Sequence, residues 1–96
     1  MPRETDANQA EIIAALRQVG ASVYHVYQAS VAGVPDLVVS RIGADGVARN
    51  YLLEVKTARG RLKRTQVEFH KAWPGPIAIV RTVGEALRAI GVEVEA

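Results

Sequence analysis

The sequence predicts an α/β fold, a mixed central sheet flanked by helices, and three observations carry that reading. Apolar residues recur at helical spacing in Ile12, Ile13, Leu16 and Val19. Two extended apolar stretches, Leu37 to Ile42 and Asn50 to Thr57, flank the turn-forming Gly43-Ala44-Asp45-Gly46, as in an antiparallel hairpin. A further strand, Ile77 to Arg81, follows the hairpin through a helical segment, the arrangement of a parallel crossover. The order is helix, strand, strand, strand, helix, strand, helix, in one domain spanning residues 1–96.

The first helix is expected from Ala7 to Val19, with Asp6 and Gln9 at capping-box spacing ahead of it and Gly20 ending it. Ser22 to Gln28 is rich in Val and Tyr and reads as a strand, with Val23, His25 and Tyr27 on one face. No second His or Cys stands near His25 at ligand spacing, so a structural, hydrogen-bonded histidine is expected there. Ala29 to Val34 carries small residues and reads as a loop. Pro35 then forces Val34 to be extended, and Asp36 opens the next strand. Leu37, Val38 and Val39 form an unbroken apolar run, as in a strand covered on both sides.

After the hairpin a basic loop leads to a second helix with Thr65 as the expected N-cap, Gln66, His70 and Trp73 on one side, and Pro74-Gly75-Pro76 as its stop. Thr82 and Glu85 form another capping box before Ala86, Leu87 and Ile90, and Gly91 closes that helix. Val92 to Ala96 is either a short edge strand or a frayed tail.

Composition narrows the function. Ninety-six residues suffice for one core, and with a single Phe and a single Trp that core must be mostly aliphatic. So short a chain has little surface with which to grip a long substrate, which predicts a homodimer. Without cysteine there is no disulfide framework, thiolate metal site or cysteine nucleophile. No apolar run approaches the ~20 residues needed to span a bilayer, and Met1-Pro2-Arg3-Glu4 does not lead into a signal-peptide core, so a soluble, cytoplasmic protein is expected. The net charge is only +2, but Lys56, Arg59, Arg61, Lys63 and Arg64 fall within nine positions with no acid between Glu54 and Glu68. That is a local patch suited to a polyanion.

The chemistry concentrates on Glu54 and Lys56, which alternation places on one strand face, while Leu53, Val55 and Thr57 point to the other. Asp36, at the mouth of the neighbouring strand, converges on Glu54 if the hairpin register allows. Two close carboxylates repel unless a cation separates them, and a hard divalent ion such as Mg²⁺, with the Val55 carbonyl completing the protein's share, suits an all-oxygen set. Such an ion binds a phosphate oxygen and activates water. Lys56 can hold the attacking water or stabilise developing negative charge. The plainer alternative is an exposed Glu54–Lys56 ion pair, worth only about 0–1 kcal/mol. Glu11, beside the apolar stripe of the first helix, is on this pattern a solvated carboxylate.

Val34-Pro35-Asp36, the apolar strand after it and Leu52-Leu53-Glu54-Val55-Lys56-Thr57 resemble the motif of the PD-(D/E)xK nuclease superfamily. Gly33-Val34-Pro35-Asp36-Leu37, Glu54 to Leu62, Gln66 to His70 and Val80 to Leu87 are similar to the VRR-NUC domains, small nucleases that stand alone in phages or form the catalytic part of larger repair nucleases. The resemblance implies a restriction-endonuclease-like αβββαβ(α) core and a DNA endonuclease dependent on Mg²⁺ or Mn²⁺, either structure-sensing (branched, flap or junction DNA) or weakly sequence-specific. In that reading Asp36 and Glu54 match the metal-binding acids, Lys56 the catalytic lysine and Gln66 the glutamine of the following helix, while Glu11 matches a first-helix acid aimed at the metal. In a related branch a Tyr follows the helix glutamine by four residues; here that position is His70, with a structural, phosphate-contacting or catalytic role left open. Arg59, Arg61, Lys63 and Arg64 then lie where a DNA backbone would pass. A dimer would bring two sites to two strands, and repair or phage replication proteins would recruit it. The alternative is a non-catalytic nucleic-acid-binding module that keeps the nuclease fold.

Overall fold

The computed structural model describes residues 4–94. Helix α1 (Glu4–Gln18) is followed by strands β1 (Ser22–His25), β2 (Leu37–Ile42) and β3 (Ala48–Val55), helix α2 (Arg64–Ala72), strand β4 (Ile77–Val80) and helix α3 (Val83–Ala89). The order is the predicted one. The four strands lie side by side as β1-β2-β3-β4, antiparallel except for the parallel β3–β4 pair. Both the hairpin and the crossover are therefore present.

Several boundaries move. Helix α1 starts at Glu4, so Asp6 falls within it rather than at its cap; the side chain of Asp6 lies outside the described residues. At its other end Gly20 adopts φ +87°, a conformation open to glycine, and the Gly20 and Ala21 N–H groups donate to the Arg17 and Leu16 carbonyls. Strand β1 stops at His25, three residues before Gln28. The His25 ring packs on Tyr27, with centroids 4.1 Å apart, and among the described residues its side chain has no hydrogen-bond partner. Strand β3 ends at Val55, so Lys56 and Thr57 stand just beyond it, although the Lys56 N–H still donates to the Val80 carbonyl. Val92 to Val94 form no strand, Glu95 and Ala96 lie outside the described residues, and so does the Met1-Pro2-Arg3 start.

The second helix is capped by Lys63, not Thr65, which lies inside it. A lysine cannot accept the orphan N–H groups of the first turn. Instead Gln66 reaches back, its side-chain oxygen accepting the Lys63 N–H at 2.8 Å. The third helix follows expectation more closely: Thr82 accepts the Glu85 N–H, while the Glu85 carboxylate takes the Arg81 N–H one residue ahead of the cap.

One face of the sheet packs against α1 and α3. Leu37 and Val39 of β2, Leu53 and Val55 of β3 and Val80 of β4 meet Ile12, Leu16, Ala86 and Ile90 in an aliphatic core. The other face carries Val38, Leu52 and Ile79, which are half-buried or exposed, so β2 is covered fully on one side only. Asp36, Glu54 and Lys56 share this thinly covered side by strand alternation. No helix among the described residues is long and apolar enough to cross a membrane.

Candidate active site

Register brings the two acids together. Leu37 pairs with Leu53, so continuing the antiparallel ladder by one step sets Asp36 opposite Glu54. The peptide groups of residues 52 and 56 point to β4, where their N–H groups meet the Pro76 and Val80 carbonyls, so those of 53 and 55 point to β2. Asp36 and Glu54 are thus a pair without mutual backbone hydrogen bonds, the kind in which opposed side chains come closest. The Asp36 carbonyl meanwhile accepts the Val26 N–H at 2.7 Å, tying this position to β1.

One step further Val55 faces Pro35, which is buried and has no N–H. The ladder ends there. Asp36 Oδ2 accepts the Val55 N–H at 2.9 Å, a bond a strand neighbour would otherwise take. The Val55 carbonyl, aimed toward the same edge, receives no donor from Pro35. A proline before the acid therefore does two things: it extends the chain, and it leaves a strand carbonyl beside two carboxylates.

Glu54 is only 2% exposed. Its Oε2 accepts a hydrogen bond from Gln66 Nε2 at 3.3 Å and lies 3.6 Å from Lys56 Nζ. Its Oε1 is buried, with no hydrogen-bond partner among the described residues. Burial, followed by the Asp36 carboxyl at its side, pushes the Glu54 pKa up to about 8, against the opposing pull of Lys56. An orphaned buried oxygen, a carboxyl held against its charge by a second acid and an unladdered carbonyl together form an oxygen donor set that fits a hard divalent cation. The Glu54–Lys56 contact is thus buried rather than a solvated surface pair.

Gln66 reaches Glu54 because α2 is held close. Gly33 sits at φ +88° with its backbone against the first turn of α2, and a Cβ there would overlap the Thr65 carbonyl. The Lys63 N–H fixes which end of the Gln66 amide is oxygen, so the NH₂ group faces Glu54. His70, one turn along, is half-buried; its Nε2 has no partner among the described residues, and burial lowers its pKa.

Glu11 stands elsewhere. It is exposed on α1, which packs on the opposite face of the sheet, and it lines a hollow of about 320 Å³ with Asn8, Thr57, Ala58 and Arg81. Among the described residues no three acids, histidines or cysteines form a cluster that could hold a metal ion, so the structure does not bring Glu11 to Asp36 and Glu54. Arg59, Arg61 and Lys63 are exposed and form no ion pair among the described residues, whereas Arg64 pairs with Glu68 at 3.1 Å in the open.

Two contributors escape pattern reading. Asn8 Nδ2 donates to the carbonyls of Lys56 and Arg81, at 3.0 and 3.2 Å. Arg81 Nη1 donates to the carbonyls of Thr57 and Gly60, at 2.9 and 2.7 Å. A lone Asn on an amphipathic helix and an Arg ending a strand carry no sequence signal for such contacts.

No protein-family model and no curated protein matches the chain. A solved structure described as "VRR_NUC domain" superposes with a TM-score of 0.72 at 19% sequence identity, covering 93% of this chain and 96% of that one. Taken with the strand order and the crossover, that likeness shows this chain to have the fold of a VRR-NUC domain.

Proposed function

We propose that this chain is a metal-dependent DNA endonuclease, and the observation that carries the reading is the edge formed by Asp36, Glu54 and the Val55 carbonyl. These three would hold Mg²⁺ or Mn²⁺. Bound there, the ion supplies Lewis-acid stabilisation of a phosphodiester and a nucleophilic water at neutral pH. Lys56 places a positive charge 3.6 Å from the metal-facing carboxylate, where it steadies charge developing on the phosphate or orients the attacking water. Gln66 holds Glu54 in one rotamer through its amide. Arg59, Arg61 and Lys63 contact backbone phosphates, which gives affinity without reading sequence; Arg64 adds to this when Glu68 releases it. Glu11 joins the metal only through solvent or a shift of α1.

The exposed cations of the loop hold phosphates without reading bases, which favours substrates chosen by shape, such as branches, flaps or junctions, and a homodimer would present two such sites to two strands. Supercoiled and branched DNA, each incubated with and without Mg²⁺ or Mn²⁺, tests the reading. Nicking is expected only with metal, and Lys56→Ala is expected to abolish it while leaving DNA affinity within about threefold, since the loop cations remain. Undiminished nicking by Lys56→Ala overturns the mechanism. Sedimentation of the purified protein tests the dimer.

A further inference from the structure

The end of β3 poses a problem of backbone bonding. The Lys56 carbonyl points toward β4, where a parallel ladder would offer the N–H of residue 82, but that chain has already turned into the cap of α3. Asn8 fills the gap: its one NH₂ group bridges the Lys56 and Arg81 carbonyls and so joins the ends of β3 and β4 where the ladder splits. Beyond it, residues 57–60 form a turn closed by the Gly60 N–H on the Thr57 carbonyl at 3.1 Å. Arg81, itself half-buried and with its own N–H tied to Glu85, holds the Thr57 and Gly60 carbonyls with one nitrogen.

We propose that Asn8 and Arg81 are positioning residues, Asn8 setting the backbone of Lys56 and Arg81 setting the turn from which Arg59, Arg61 and Lys63 are displayed. The inference rests on the nuclease reading for its consequence and on four hydrogen bonds for its geometry. The two residues act on different steps. Asn8 bears on the reacting centre through Lys56, whereas Arg81 bears on substrate affinity through the turn. Arg81 is spent on carbonyls, so it works by holding other cations in place rather than by touching phosphate.

Hydrogen exchange and salt-dependent DNA binding separate this from a direct phosphate contact. Arg81→Gln is expected to speed exchange of the Gly60 amide by about tenfold or more, as a local opening that leaves the sheet protected. Its DNA affinity should fall severalfold while the slope of log K against log salt is unchanged, because the displayed cations remain. Arg59→Gln, losing one phosphate contact, should instead lower that slope by about 0.9 with no change in Gly60 exchange. A protected Gly60 amide in Arg81→Gln, or a slope that falls as in Arg59→Gln, overturns the assignment of Arg81.

Asn8→Leu, which keeps volume and removes both hydrogen bonds, is expected to lower kcat about fivefold, the order of the one lost at the Lys56 carbonyl, with KM within twofold. Equal loss in KM overturns the assignment of Asn8. Should Arg81→Gln fail to fold, the wild-type protein still decides: the Arg81 Nη1 protons should give slowed, resolved NMR signals coupled to the Thr57 and Gly60 carbonyl carbons, and their absence rejects the clamp. If the wild-type protein binds DNA but cuts it with no divalent metal, the nuclease reading fails separately. The exchange and salt measurements then still judge Arg81, and the Asn8 side-chain NH₂ protons judge Asn8: slowed exchange is expected from their bonds to the Lys56 and Arg81 carbonyls, and free exchange rejects the bridge.

Discussion

Glu54 concentrates the chemistry of the molecule in one side chain, and its proton is the quantity to follow. Its folded-state pKa of about 8 stands above the ordinary carboxylate value of 4.5, so between those limits the folded protein binds more protons than the unfolded chain. Without metal, the contribution of Glu54 to stability is therefore full below about pH 4.5 and is lost as pH rises toward 8, the reverse of an ordinary ion-paired carboxylate. A divalent ion that takes the proton's place changes this. The apparent Kd for Mn²⁺ is expected to fall about tenfold per pH unit from pH 6 to 8 and then level off, as for release of one proton on binding. Calorimetric titration across that range checks it, and Glu54→Gln should remove both the affinity and the pH dependence. The acids were legible in the sequence because Asp36 follows a proline and Glu54 interrupts an apolar strand. Their partners were not: Pro35 leaves the Val55 carbonyl without a donor only once the register is known, and Glu11 lies on a helix whose periodicity gives a buried stripe but not which face of the sheet receives it.

Elements bring Gln66 to Glu54, and here the decisive residue has no side chain. Helix α2 buries none of its residues completely, so little hydrophobic area anchors it, and the close approach of Gly33 to Thr65 sets its position. Gly33→Ala is strained twice, by the positive φ and by overlap with the Thr65 backbone. Its expected cost is about 1–3 kcal/mol of stability, read as a lowered denaturation midpoint. Because α2 must withdraw to admit the methyl group, nicking should fall by more than the loss of folded protein explains. A Gly33→Ala protein with wild-type midpoint and activity would show that α2 is held by other means. The element order and the hairpin could be read from Gly43 to Gly46 and from the apolar periods flanking it. The start of α2 could not, because Thr65 is the better N-cap by type, yet Gln66 reaching back to Lys63 wins by geometry.

At the scale of the whole molecule the sheet divides the labour. Helices α1 and α3 seal one face and provide most of the core, while the opposite face, bordered by α2 and the turn at 57–60, carries the proposed site. On the proposed function, a net charge of +2 is too small to draw in DNA from a distance, and attraction has to come from the local patch beside the site. Of its members, Arg64 pairs with Glu68 and Lys56 is turned toward Glu54, leaving Arg59, Arg61 and Lys63 exposed and without an ion pair among the described residues. Three phosphate contacts correspond to a contribution of about −2.7 to the slope of log K against log salt on duplex DNA. Replacing all three with Gln is expected to remove about that much of the slope and most of the affinity at low salt, while Arg64→Gln changes it little because Glu68 is released at the same time. At saturating DNA the triple variant should still cut at a rate within severalfold of wild type, since the polar side-chain partners of Glu54 among the described residues are Gln66 and Lys56 and include none of the three. A slope that survives the triple substitution would place the DNA path elsewhere on the surface, and a lost turnover rate at saturation would mean that the loop takes part in the reaction as well as in binding.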